Sequence, residues 1–112
     1  YPKRQSSGVQ ELDLTKQKPL EFFPPNLESY PCLRLAYEAL KEGKSLPGTL
    51  NAANEVAVDA FLKGKIGFLG IAKVIEKALE RVSACELDSM SVIVENDQTS
   101  RQIAKSIVES GI

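Results

Sequence analysis

Residues 69–82 read Leu-Gly-Ile-Ala-Lys-Val-Ile-Glu-Lys-Ala-Leu-Glu-Arg-Val. Ile71, Val74, Ile75, Ala78, Leu79 and Val82 recur at steps of three and four, while Lys73, Glu76, Lys77, Glu80 and Arg81 fill the gaps. That spacing makes one face of a 3.6-residue helix apolar and the other charged, and it predicts a helix over Leu69–Val82. The same period extends in both directions. Upstream, Pro47–Lys63 carries Leu50, Ala53, Ala57, Ala60 and Phe61 on one face and stops at Gly64. Further upstream, Pro31 and Gly43 bracket a helix over Pro31–Glu42. Proline is tolerated in a first turn, and glycine suits the position after a last one. The stripe of this helix is Leu33, Ala36, Tyr37 and Leu40. Downstream, Asp97 reads as the N-cap of a final helix with Ile103, Ala104, Ile107 and Val108 on its apolar face. The segment Leu87–Glu95 fits either a short β-branched strand or a helical turn.

The first 31 residues hold Pro2, Pro19, Pro24, Pro25 and Pro31, five of the six prolines, and cannot form one continuous helix. Leu12 and Leu14 alternate with polar residues, as do Leu20 and Phe22, which predicts two short extended segments on either side of Thr15–Pro19. Strands so short are marginal alone and are expected to lie on something else. The fold class expected is therefore mainly α: a small bundle of four amphipathic helices over residues 29–112, preceded by an extended Pro-rich arm with two short strands over 1–28.

The chain has 112 residues, one domain's worth, with 43% hydrophobic and 26% charged residues and a formal charge of −1. No basic field is available for nucleic acid, and no apolar run is long enough to span a bilayer. Neither partner is expected. With no histidine in the chain, imidazole base catalysis, Ser-His-Asp and Cys-His nucleophiles and His-ligated zinc are excluded. Cys32 and Cys85 are too few for a disulfide framework, so free buried thiols are expected, with a single bridge as the alternative. The chain begins at Tyr1, without methionine or a signal-peptide core, and is expected to be a piece of something longer.

Several clusters invite a functional reading. Gly64, Gly67 and Gly70 suggest a phosphate loop, but their spacing is not that of a dinucleotide fingerprint and they follow a helix. A helix C-cap and a tight turn are expected instead. Asn51, Asn54 and Glu55 lie within five residues and could present oxygen ligands. The competing reading is buried amides that bond to a neighbouring loop. Glu76 and Glu80 interleave with cations, as a solvated helix face does. Glu55 and Asp59 are also four apart, without an evident third ligand. Cys32 stands in a first helical turn between apolar neighbours, as a buried thiol would. Lys3 and Arg4 form a small basic pair. These residues assemble no catalytic constellation, so no catalytic, cofactor-binding or metal-binding residue is assigned.

The strings Tyr30-Pro31-Cys32-Leu33-Arg34-Leu35-Ala36, Leu50-Asn51-Ala52-Ala53-Asn54-Glu55-Val56-Ala57-Val58 and Ala60-Phe61-Leu62 resemble the C-terminal part of the 1-deoxy-D-xylulose 5-phosphate reductoisomerase family. Tyr1-Pro2-x-Arg4, Ser7-Gly8-Val9, Leu12-Asp13-Leu14, Leu20-Glu21-Phe22, Ile66-Gly67-Phe68-Leu69 and the pair Asp97 and Arg101 continue the likeness in order. Ser91–Val94 departs from it, since more helix-favouring residues usually stand there. The resemblance implies an NADPH-dependent enzyme, assisted by Mg2+ or Mn2+, that forms 2-C-methyl-D-erythritol 4-phosphate in non-mevalonate isoprenoid biosynthesis. It also implies a homodimeric parent in a bacterial cytoplasm. The family's cofactor glycines, metal carboxylates and phosphate ligands belong to earlier domains, so none transfers to a residue here. The expected role is a non-catalytic domain that buttresses the catalytic domain of the same chain, with Asn51 and Asn54 tying the second helix to its neighbours. The alternative is a stand-alone helical module for protein interaction or ligand binding.

Overall fold

A computed structural model describes residues 2–112; Tyr1, the start of the expected arm, lies outside them. Four helices form: α1 (Pro31–Glu42), α2 (Leu46–Leu62), α3 (Phe68–Arg81) and α4 (Met90–Glu109). Their ends follow from local chemistry. Pro31 stands in the first turn of α1, and Gly43 closes that helix at φ 75°, its N–H donating to Ala39 O at 2.9 Å. At the end of α2, Gly64 (φ 69°) donates to Phe61 O and Lys65 N–H donates to Ala60 O, both at 2.9 Å. This pair of bonds is the Schellman closure, which needs a left-handed residue that glycine adopts without strain. Gly67 caps α3, and Ile66 and Ile71 stand at the staple positions on either side of that cap, both packed on the core.

Helix α2 is the axis of the bundle, in contact with α1, α3 and α4. Its inner face is nearly all alanine: Ala52, Ala53, Ala57 and Ala60 are buried, and such small side chains let the neighbouring helices approach closely. Val74, Ile75 and Ala78 of α3, Ala104 and Ile107 of α4 and Leu35 of α1 close the core around it. The stripes expected on α3 and α4 are therefore the ones that face inward.

Three expectations are corrected. First, α4 begins at Met90, seven residues before Asp97. Ser89 is its cap, with Oγ accepting from Val92 N–H at 3.4 Å, and Asp97 is an interior residue. The β-branched run Val92–Val94 is helical because each such residue costs only a few tenths of a kcal/mol in propensity, which the Ser89 cap and the burial of Asn96, Ser100, Ala104 and Ile107 further along the same helix offset. Second, Leu33, Ala36, Tyr37 and Leu40 of α1 face outward, and the helix is buried through Leu35 and Ala39. Helix α1 touches α2 and α3 but not α4, so only a narrow seam of it is covered. Third, no strand forms among the described residues. Leu14–Lys16 is a 3-10 turn set by Asp13, whose carboxylate accepts from Thr15 N–H at 3.0 Å and Thr15 Oγ1 at 2.6 Å. The Thr15 bond, then Lys16, holds that carboxyl below its usual range. A strand needs a partner backbone, and the arm is exposed along almost its whole length.

Candidate functional site

The amides singled out in the sequence lie on the outward side of α2. Asn51 is exposed, and its Nδ2 donates to Glu55 Oε1 at 3.2 Å, one turn along the same helix. It does not bond to a neighbouring loop. Asn54 is half-buried beside it. Glu55 reaches across to α4, where its Oε2 is 2.9 Å from Arg101 Nη2, and Arg101 Nε donates to Asp97 Oδ2 at 2.7 Å. The two carboxylates, Asp97 first, hold the guanidinium above even its usual pKa, so Arg101 is a permanent cation. Asp59 is paired with Lys63 at 2.7 Å. Glu55, Asp59, Lys63 and Arg101, with Lys65 and Lys105, line an open cleft of about 440 Å³ between α2 and α4, which Asn51, Asn54 and Asp97 do not reach. Glu55, Asp59 and Asp97 each already face a cation, whereas Glu109, in the cleft wall, makes no ion pair among the described residues.

The other clusters resolve in similar ways. Glu76 is not merely solvated: its Oε1 accepts from Arg34 Nη2 at 2.8 Å, while Arg34 Nη1 bonds Glu38 at 3.0 Å. Arg34 is held above its usual pKa by Glu76 first and Glu38 second. This cluster joins α1 to α3. Gly64 and Gly67 are caps, and a Cβ on Gly70 would lie 3.2 Å from Ile66 Cβ, so the glycine run serves a turn. Cys85 is half-buried and Cys32 exposed, both as free thiols. The expectation of a buried Cys32 fails with that of the α1 stripe, since the first turn of that helix faces outward. Lys3 and Arg4 are exposed in the arm.

Two features escaped the sequence reading. One is a buried polar seam. Thr49 Oγ1 accepts from Asn96 Nδ2 at 3.3 Å and from Ser100 Oγ at 3.2 Å, bonding α2 to α4. Beside it, Ser45 N–H donates to Cys85 O, and Cys85 N–H donates to Ser45 Oγ, both at 3.0 Å. The spacing Asn96, Ser100, Ala104, Ile107 continues the inner stripe of α4 by steps of four, four and three, but its first half is polar. The second feature is an apolar groove of about 370 Å³ between the α1 start, at Ser29–Leu33, and the α3 start, at Phe68, Leu69, Ile71 and Ala72. No charged side chain lines it. Among the described residues, no three His, Cys, Asp or Glu side chains stand together as a metal site, and no helix is long and apolar enough to cross a membrane.

A family model described as DXP reductoisomerase C-terminal domain matches residues 1–103. A protein of Trichlorobacter lovleyi named 1-deoxy-D-xylulose 5-phosphate reductoisomerase is 50% identical over 107 residues, 96% of this chain and 27% of that protein. Its namesake in Vesicomyosocius okutanii is 46% identical, over 97% of this chain and 28% of its own length. Among solved structures, the Zymomonas mobilis reductoisomerase in complex with NADPH superimposes with a TM-score of 0.83 at 41% identity, covering 98% of this chain and 29% of that one. A DOX-P reductoisomerase in complex with magnesium gives 0.77 at 34% identity, over 97% and 30%. The chain spans less than a third of the length of these relatives.

Proposed function

The chain belongs to the family of DXP reductoisomerase C-terminal domains, and from that premise we propose that it is the C-terminal, non-catalytic domain of an enzyme converting 1-deoxy-D-xylulose 5-phosphate to 2-C-methyl-D-erythritol 4-phosphate with NADPH. The observation that carries this reading is a match along nearly the whole chain to relatives of that name, at up to 50% identity. In this reading the enzyme serves non-mevalonate isoprenoid biosynthesis, works as a homodimer and resides in a bacterial cytoplasm. Residues 1–28 are an interdomain arm, and residues 29–112 are the bundle that buttresses the catalytic domain.

NADPH and Mg2+ or Mn2+ belong to the parent, and the residues of this chain do not fit either. A divalent ion needs several oxygen ligands carrying net negative charge. Here Glu55 and Asp97 are tied up by Arg101, Asp59 by Lys63 and Glu76 by Arg34, at 2.7–2.9 Å. A dinucleotide needs a glycine-rich turn between a strand and a helix. Here the glycines join two helices, and their turn is closed by its own backbone bonds. No catalytic, cofactor or metal role is therefore assigned to any residue of this chain, and no chemical step is routed through it. The full-length protein is expected to oxidise NADPH only when 1-deoxy-D-xylulose 5-phosphate and magnesium are both present. A folded full-length protein that left NADPH untouched would overturn the reading.

A further inference from the structure

Helix α1 carries more apolar surface than the bundle uses. Its buried seam is Leu35 and Ala39, yet Leu33, Tyr37 and Leu40, on another face, are 37%, 59% and 69% exposed. Phe68 and Leu69 at the start of α3 are 69% and 74% exposed, and they share with Leu33 the uncharged groove described above. The ring of Phe68 meets that of Phe61 edge to face, with centroids 5.9 Å apart, which carries the surface on to the end of α2. Isolated exposed leucines are ordinary. A row at helical spacing, joined to a groove without a single charge, marks an interface. We propose that this face, the outer stripe of α1 continued by Phe68 and Leu69, is the seat on which the preceding part of the same polypeptide docks.

The inference rests on the reading above that the chain is the C-terminal domain of a longer enzyme, and it names the surface that does the buttressing. Two observations choose the occupant. More than two thirds of each relative's length lies outside the matched region, and the matching family is described as a C-terminal domain, so in the relatives that length precedes it. The arm also joins the bundle at Ser29 and Tyr30, which themselves line the groove. Whatever precedes the arm is therefore tethered to the rim of the face through residues 1–28. Even a tether of this length makes docking intramolecular, so the contact needs less affinity than one between separate molecules. The chemistry of the lining specifies aliphatic and aromatic side chains as the complement and offers nothing to an ionic partner.

Cys32 lines the groove and reports on whether it is covered. In the full-length protein, alkylation of Cys32 by a maleimide is expected to be at least about tenfold slower than in urea, because only the opened form reacts. The variant Tyr37→Lys/Leu40→Lys, altered at positions already exposed on the bundle, is expected to restore rapid alkylation with the helical circular dichroism unchanged, since an ammonium buried in an apolar seat is costly. Alkylation of the native full-length protein at the urea rate overturns the proposal. So does a doubly substituted protein that stays protected. Protection that vanishes on dilution also overturns it, because a second copy would then be the cover. Substrate-dependent NADPH oxidation by the same preparation separates the two readings. Oxidation with Cys32 unprotected removes this surface alone, and protection without oxidation upholds the surface while removing the enzyme assignment.

Discussion

Thr49 Oγ1 accepts two side-chain hydrogen bonds in the bundle interior, from Asn96 and from Ser100, and no buried polar side-chain atom among the described residues lacks a partner. Replacing that hydroxyl with a methyl group of the same shape removes the acceptor and leaves two donors in a dry site. Thr49→Val is expected to lower the unfolding free energy of the 112-residue chain by about 1–3 kcal/mol, the range for a stranded buried donor. Asn51→Ala removes an exposed, intrahelical bond and is expected to change it by less than about 0.5 kcal/mol. Urea unfolding followed by circular dichroism compares the two directly. Equal losses would contradict the assignment of the polar seam as the tie between α2 and α4. The exposed ion pairs of Arg34 and Arg101 rank below that seam. Their partners stay hydrated, and pairs of this kind contribute at most about 1 kcal/mol.

At the scale of elements, two glycines of the α2 region separate helix propensity from backbone geometry. Gly48 is in the first turn, and a Cβ there would meet only Asn96 Nδ2 at 3.7 Å, an ordinary contact. Gly48→Ala is expected to raise stability by about 0.5–1 kcal/mol through the entropy that glycine loses on folding. Gly64 has open space around it but sits at φ 69°, so Gly64→Ala is expected to lower stability by about 1–2 kcal/mol. Thermal melts of the two variants should therefore shift in opposite directions. A shift of the same sign would mean that the Schellman turn is not what closes α2. These elements also mark how far the sequence could be read. The bounds of α1 were legible because Pro31 and Gly43 punctuate it by distinct mechanisms, and α3 because its period is unbroken. The start of α4 was not. Ser89 is a cap followed by valines and isoleucine, whose preference is for strands until packing overrides it. The inner face of α1 was misassigned because two apolar rows run along that helix, and periodicity cannot say which meets the core. The cations that pair with Glu55 and Glu76 were equally hidden, since Arg101 and Arg34 come from other helices.

For the molecule as a whole, a bundle built around the alanines of α2 presents clefts lined by charged residues, an uncharged groove and an arm exposed along almost its whole length. In the α2–α4 cleft Glu55 and Asp59 are paired with cations, the glycine run closes on its own backbone, and the groove is lined by apolar side chains. The proposed role, support of a neighbouring domain without chemistry of its own, makes a prediction for ligand binding. Amide NMR of the 112-residue chain, titrated with NADPH, with magnesium free of manganese and with 1-deoxy-D-xylulose 5-phosphate, is the direct test. The account predicts a dispersed helical spectrum in which none of the three additions moves a resonance. Localised, saturable shifts around Glu55, Asp59 and Arg101 would contradict it, because the α2–α4 cleft would then be a binding site in its own right.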